Sequence, residues 1–165
     1  KRRKRAAMDA SSLDRAGATA QPTAQYHKLE IQRLEELKEI HCGVLQGKAA
    51  DELDDDNKAL WHAYRADKDF IVPGGESFNT FKNRVLDCLE KLLASIPGNA
   101  LIVGHRNTNE VILAELLGLG SVTGKSINVK NKYLYEIQLG TQPAVSTIRL
   151  GGEFHGKRFM GLKDE

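Results

Sequence analysis

The chain has 165 residues, of which 41% are hydrophobic and 28% charged, a composition that suits one globular domain with a substantial core. Its 24 basic and 22 acidic side chains nearly balance, so the formal net charge of +2 favours neither a nucleic-acid nor a membrane partner. No apolar run is long enough to span a bilayer, and two cysteines without metal-ligand spacing fit a reducing cytoplasm.

The first twenty residues combine a basic start with a predicted helix. Residues 1–10 begin with five consecutive cations and favour neither a strand nor a buried segment, so we expect them to be disordered. Ser11, Ser12 and Asp14 are typical of a helix N-terminus, because hydroxyl groups cap free amides and an acid interacts well with the helix dipole. An alanine-rich helix should follow as far as Pro22, which ends or kinks it.

The middle of the chain alternates irregular and regular predicted segments. Residues 29–40 carry apolar side chains at mixed helical spacings, which indicates an irregular helical connection, and residues 43–64 favour two short surface helices. The breaker at 73–75 is followed by Glu-Ser at 76–77, which opens the clearest helix of the chain. Its apolar residues recur at three- and four-residue steps and give one packed stripe up to the breaker at 97–98.

The second half of the chain predicts an α/β unit and two further strands. The apolar run at 100–104 is typical of a strand buried on both faces of a parallel sheet. A polar turn at 105–109 and a helix with an apolar face follow it. Residues 133–139 and 144–150 then favour two strands, and the glycine-rich residues 151–165 are interpreted as a C-terminal tail in loop conformation.

His105 is the most specific candidate for chemistry, because it directly follows the predicted strand and precedes a helix. Ligands collect at the carboxyl ends of strands in open α/β sheets, and a helix N-terminus offers free amides to an anion. A phosphate is therefore expected beside His105, with Arg106 and Asn107 of the same turn contacting the substrate. The position also fits a loop histidine that only caps the helix, and this alternative stays open.

Glu39 and Arg15 are weaker candidates. Glu39 has apolar neighbours, and a partly buried carboxyl group can act as a general acid, although a solvated glutamate would look the same in the sequence. Arg15 could offer a planar fork of donors to phosphate oxygens, or it could simply be exposed on an alanine-rich helix. The histidines at 41, 62 and 155 have no metal-ligand spacing and are interpreted as structural or surface residues.

Four segments, taken in order, resemble the histidine phosphatase superfamily, which contains cofactor-dependent phosphoglycerate mutases and many small phosphomonoesterases. They are SSLDRAGATA from residue 11, LKEIHCGVLQGK from residue 37, PGGES from residue 73 and LIVGHRNTN from residue 101. The resemblance covers residues 11–150 and implies one phosphoglycerate mutase-like domain of three α/β/α layers with a mostly parallel central sheet. It also implies that Arg15 binds phosphate, that Glu39 donates a proton and that His105 stabilises the transferring phosphoryl group.

One part of the family pattern has no counterpart in the sequence. Members begin with a strand that ends in an Arg-His-Gly triplet, whose histidine takes the phosphoryl group, and these 165 residues contain no such triplet. A helix and a second strand should then precede the segment at Ser11, which only ten residues precede here. We therefore expect an N-terminally incomplete domain that lacks its nucleophile and has an uncovered sheet edge, in preference to a natural inactive relative.

The implied function is phosphomonoester hydrolysis through a phosphohistidine, with a small phosphorylated substrate and no metal or other cofactor. Phosphoglycerate mutase-type phosphotransfer is the first alternative, which the short segment between Glu39 and Pro73 disfavours. The second is a non-catalytic domain that binds a phospho-ligand or a protein through Arg15 and His105. A nucleic-acid arm at residues 1–5 is disfavoured because the rest of the chain is not basic, and homo-oligomer formation is left open.

Overall fold

The computed structural model describes residues 6–67, 69–96, 98–120 and 127–163, so the cationic run at 1–5 lies outside the described residues. In chain order, the strands and α-helices are β1 (Ala6–Ser11), α1 (Asp14–His27), β2 (Gln32–Leu34), α2 (Asp55–Ala66), α3 (Phe78–Ser95), β3 (Asn99–Val103), α4 (Arg106–Leu116), β4 (Tyr133–Gln138), β5 (Ala144–Arg149) and β6 (Arg158–Met160). Short 3-10 turns occupy Glu35–Leu37, Gly43–Leu45 and Ala50–Glu52. None of the described helices combines the length and the apolar composition that crossing a membrane requires.

A parallel sheet lies between two helical layers. Its strands are ordered β2, β1, β3, and side chains alternate between the two faces. Met8 and Ala10 of β1 pack against Ala20 and Ala24 of α1, while α3 and α4 form the main core on the other face. The predicted three-layer α/β/α architecture with a parallel sheet is therefore confirmed.

For residues 6–10, strand β1 corrects the expectation of a disordered start. Residues 6–11 form the central strand of the parallel sheet, and the four residues from Met8 to Ser11 are buried. Alanine, methionine and aspartate have low strand propensity, so the local sequence gives little sign of a strand. Pairing with β2 on one side and β3 on the other overrides that propensity.

Strand β3 is less buried than the apolar run at 100–104 predicts. Asn99 and Ala100 are exposed and the other three residues are half-buried. Within the described ranges β3 pairs only with β1, so its second edge carries no strand, and β4 stands at the edge of a separate antiparallel sheet ordered β4, β5, β6. The missing strand that we expect from the sequence at this second edge of β3 stays a prediction.

Several predicted connections are wrong in detail. Helix α1 continues through Pro22 to His27, because buried alanines hold its opposite face while Pro22 is exposed. Residues 29–40 contain strand β2 and a 3-10 turn instead of an irregular helix, and residues 43–66 form two 3-10 turns and α2. The predicted tail at 151–165 contains β6, which pairs with β5 and extends the antiparallel sheet.

Helix α3 agrees with its prediction. The Ser77 hydroxyl caps it by accepting from the Thr80 amide at 3.0 Å, and its stripe packs against the apolar side of α4. The stripe consists of Phe81, Val85, Cys88, Leu89 and Leu92. This packing places the N-terminus of α4 at the carboxyl end of β3.

Candidate active site

His105 lies between β3 and α4 and is held by two side chains from the start of the chain. Its Nε2 is 2.8 Å from the Ser11 hydroxyl at the end of β1, and its Nδ1 accepts from the Arg15 Nε at 3.2 Å. A guanidinium nitrogen can only donate, so Nδ1 is the acceptor and the ring proton lies on Nε2. The imidazole therefore presents an N–H toward Ser11.

The protonation of His105 follows from its surroundings. Burial, reinforced by the positive charge of Arg15, lowers the pKa of His105 from 6.5 to about 4. The ring is consequently neutral at physiological pH and acts as a hydrogen-bond donor through Nε2. An anion bound between Arg15 and His105 would favour the protonated ring and raise this pKa again.

Arg15 is exposed in the first turn of α1. Its Nε is occupied by His105, which leaves the two terminal nitrogens of its guanidinium as the donors for a ligand oxygen. The hydroxyls at the start of α1 are used differently from the prediction: no side chain caps α1, and the Ser11 hydroxyl accepts from the Leu13 amide while contacting His105. Ser11 is fully buried.

Glu39 reaches the N-terminus of α4. Its Oε2 accepts from the Asn107 amide at 3.0 Å, and its Oε1 accepts from the Ile40 amide at 3.0 Å. One of the helix amides that the sequence assigns to phosphate is thus used by a carboxylate. The contact brings Glu39 to the same helix end as His105.

Arg84 of α3 fixes the backbone around Glu39, and sequence reasoning missed it. Its guanidinium donates to the carbonyl oxygens of Glu36, Lys38 and Glu39 at 2.6, 2.9 and 3.2 Å. It also forms a two-point pair with the Glu76 carboxylate at 2.6 and 3.0 Å. No local pattern reveals this role, because the carbonyls lie 45 to 48 positions away in the sequence.

Two further side chains hold the same segment. Glu76 accepts from the His41 amide at 2.9 Å. Burial works to raise the pKa of Glu76, but the hydrogen bonds from Arg84 and from His41 outweigh burial and lower it, so the carboxylate stays charged. The buried Thr108 of α4 donates to the Lys38 carbonyl at 3.2 Å.

The remaining predicted residues have separate contacts. Arg106 is exposed and donates to Glu110 at 3.2 Å and to Asn128 at 3.3 Å, while Asn107 contributes its backbone amide to Glu39. Their contact with a substrate stays a prediction. His41 and His155 each accept a backbone amide through Nδ1, as expected of structural residues. Within the described ranges, no cluster of three or more His, Cys, Asp or Glu side chains could hold a metal ion.

Asp9 is a second residue that the sequence did not single out. It lies on the same face of β1 as Ser11, is 2% exposed, and its Oδ2 has no hydrogen-bond partner among the described atoms. Burial raises the pKa of this carboxyl. Burial at this position therefore disfavours the charged form of the carboxyl group.

Comparisons with known proteins identify relatives. The model of the histidine phosphatase superfamily (branch 1) matches residues 1–147. The protein named "Probable phosphoglycerate mutase GpmB" from Serratia proteamaculans (strain 568) is 28% identical over 136 residues, which are 81% of this chain and 63% of that protein. The chain thus spans under two thirds of the length of this curated relative.

Solved structures show the same fold. A mycobacterial glucosyl-3-phosphoglycerate phosphatase in complex with inorganic phosphate is 26% identical, with a TM-score of 0.58 over 68% of this chain and 58% of that chain. The alpha-ribazole phosphatase from Shigella flexneri is 21% identical, with a TM-score of 0.64 over 96% of this chain and 73% of that chain. The second likeness concerns the fold alone.

Proposed function

Because the chain belongs to the histidine phosphatase superfamily, we propose that it acts as a phosphomonoester hydrolase through a phosphohistidine intermediate. The observation that carries the proposal is the joint position of Glu39 and His105 at the N-terminus of α4, with Arg15 bonded to the ring of His105. A carboxyl group can protonate a leaving group, and donors beside it can stabilise charge on a transferring phosphoryl group.

In the proposed reaction, the bound anion favours the protonated ring of His105, and Arg15 and the Nδ1–H of that ring donate to the non-bridging oxygens of the substrate phosphoryl group. A nucleophilic histidine attacks phosphorus in line, and Glu39 as a carboxylic acid gives its proton to the bridging oxygen while the P–O bond breaks. The alcohol then leaves. Glu39 takes a proton from the water that attacks the phosphohistidine, and this step releases phosphate. Fixed donors supply the charge stabilisation, so the proposal includes no metal or other cofactor.

The nucleophile is proposed to come from an Arg-His-Gly segment that the 165 residues do not contain. Among the described residues, β3 pairs with a strand on one edge only, and this supports the assignment. A further parallel strand on the other edge would end beside the carboxyl ends of β1 and β3, where Ser11 and His105 meet. Its last residue would then face the phosphate site.

A non-catalytic domain that binds a phospho-ligand or a protein partner is the second candidate. It is favoured by the contact between Arg15 and His105, which exists without any Arg-His-Gly triplet in the sequence. Phosphoglycerate mutase-type phosphotransfer would use the same donors but needs a retained second phosphate. For the hydrolase we propose a small phosphorylated substrate and a cytoplasmic location, and we leave homo-oligomer formation open.

Hydrolysis of p-nitrophenyl phosphate in the presence of EDTA tests the proposal. The natural protein, with its N-terminus defined by intact mass, should turn over the ester. His105→Ala and Glu39→Gln should each lower kcat by about 100-fold or more, because each removes a donor that acts in the transition state. His155→Ala is the matched control, since its ring contacts the Gly151 amide next to β5, and kcat should stay within about twofold.

Two results would change the assignment. Full activity of the His105→Ala variant would contradict the site. A natural protein that binds orthophosphate through Arg15 and His105 but never hydrolyses the ester would favour the binding domain.

A further inference from the structure

A cavity of about 190 Å³ lies beside Glu39. Glu39 forms part of its wall, together with Cys42, Leu45, Leu53 and Trp61. Leu45 and Leu53 are buried members of one apolar cluster, and Cys42 and Trp61 pack against that cluster. Glu39 therefore has two neighbours of different kinds: the amide end of α4 and an apolar cavity.

The size and the wall of this cavity suit one aromatic ring. An enclosed apolar cavity of about 150 Å³ admits benzene; this one is slightly larger, is partly open to solvent, and has Gln46 and Lys48 beside its apolar residues. Trp61 is held by Tyr64, with ring centroids 6.4 Å apart, and by Arg65, whose guanidinium lies 5.6 Å from the Trp61 ring centroid. Burial raises the pKa of the Cys42 thiol, and the charges of Glu39 and Glu76 raise it further, so this wall carries no thiolate.

Charge around the cavity disfavours a second anionic group. Lys48 is the one cation among the residues of its wall. The neighbouring segment 51–56 contains five acidic residues, all of them exposed. Hydrogen bonds from Asn57 lower the pKa of Asp54 and the charge of Lys48 lowers it further, so Lys48 already interacts with one of these acids. A ligand that brings a carboxylate or a second phosphate here would meet mostly negative charge.

We propose, resting on the proposed function, that this cavity receives the leaving group and that the substrate is the phosphomonoester of an uncharged, single-ring aromatic alcohol. If Glu39 gives its proton to the bridging oxygen, the carbon attached to that oxygen must lie next to Glu39 and opposite the phosphoryl group. The wall of the cavity includes Glu39 but not Ser11, Arg15 or His105, the residues that surround the proposed phosphate site. Trp61 is then a specificity-determining residue that contacts the ring of the alcohol.

Trp61 supplies the readout, because it is the only tryptophan of the chain. The 165-residue protein is titrated with phenol, phenyl phosphate and 3-phosphoglycerate while Trp61 emission is followed at an excitation wavelength that phenol does not absorb. Phenol should change the emission saturably, with a Kd on the order of 1 mM to 10 mM. Phenyl phosphate should bind about tenfold more tightly than phenol, and 3-phosphoglycerate about tenfold more weakly than phenyl phosphate.

Variants separate the ring site from the phosphate site. Ala50 is an exposed residue of the cavity wall, and Ala50→Phe should fill the cavity and weaken phenol binding by about tenfold or more. Ala59→Phe places the same side chain on the exposed face of α2, outside the wall, and phenol binding should stay within about twofold. Arg15→Ala should abolish the gain of phenyl phosphate over phenol and leave phenol binding unchanged.

The outcomes distinguish the two proposals. Orthophosphate binding without phenol binding, or phenol binding that Ala50→Phe does not weaken, would overturn the cavity assignment and leave the phosphate site intact. Equal affinities for phenol and phenyl phosphate would contradict the phosphate site, and with it the leaving-group role of the cavity. Tighter binding of 3-phosphoglycerate than of phenyl phosphate would contradict the inferred substrate class.

Discussion

Replacement of Arg84 by methionine should loosen the segment that carries Glu39. The guanidinium donates five hydrogen bonds: two to Glu76 and three to backbone carbonyls of residues 36–39. The side chains of Arg84 and Glu76 are only 24% and 17% exposed, so the pair is largely shielded from water. Removing one partner of a buried pair costs about 3–5 kcal/mol, and the residual exposure places the expected loss near about 3 kcal/mol.

Urea unfolding followed by circular dichroism measures this loss as a lower midpoint at an unchanged slope. Lys91→Met is the matched control, because Lys91 is an exposed cation of the same helix, and its free energy of unfolding should change by less than about 0.5 kcal/mol. Combining Arg84→Met with Glu76→Gln should show a coupling of about 1–3 kcal/mol.

Arg84 should also affect catalysis as a positioning residue. In the natural protein, Arg84→Met should lower kcat for p-nitrophenyl phosphate more than it raises KM, because Glu39 acts in the transition state. An unchanged kcat of Arg84→Met, measured under conditions where circular dichroism shows the variant to be folded, would refute the positioning role.

Three further predictions concern stability. The folded pKa of His105, about 4, lies below its ordinary 6.5, so its stabilising contribution is complete above pH 6.5 and is lost as the pH falls toward 4. The difference between the two pKa values corresponds to about 3 kcal/mol of unfolding free energy, and solvent screening of the half-buried ring reduces this to about 1–2 kcal/mol. The urea midpoint should therefore fall as the pH is lowered from 6.5 to about 4. His105→Gln should remove this pH dependence. Because burial raises the pKa of Asp9, the stability that its protonated form contributes is lost as the pH rises through the folded pKa. Asp9→Asn should therefore raise the free energy of unfolding at pH 7 by about 1 kcal/mol. An unfolding free energy below that of the parent would contradict the burial argument. Gly43→Ala would put a Cβ 2.1 Å from the Pro73 carbonyl oxygen and should lower the free energy of unfolding by about 3 kcal/mol. Gly47 also has a positive φ, but a Cβ there would meet no atom within 4 Å, so Gly47→Ala should lower it by only about 1 kcal/mol. Equal urea midpoints of the two variants would contradict the steric cause.

The elements that the sequence predicted well are those whose signal is local. Helix α3 has an apolar stripe at helical spacing and a serine cap, and β3 with α4 forms a strand, polar turn and helix that place His105. Strand β1 was missed because its small residues have no alternating pattern. It is a strand because β2 and β3 pair with it on its two sides. This pairing depends on segments that are distant in the sequence, so local strand propensity does not reveal it.

The sequence by itself determined the family, the helices with strong periodicity, and the identities of Arg15, Glu39 and His105 as candidates. Only the tertiary structure decided what these residues contact. Arg15 and His105 are 90 positions apart and Glu39 and Asn107 are 68 positions apart, so their hydrogen bonds depend on how β1, β3 and α4 pack. The role of Arg84 and the cavity beside Glu39 arise in the same way. Contacts of this kind follow from packing between distant segments, which no local spacing encodes.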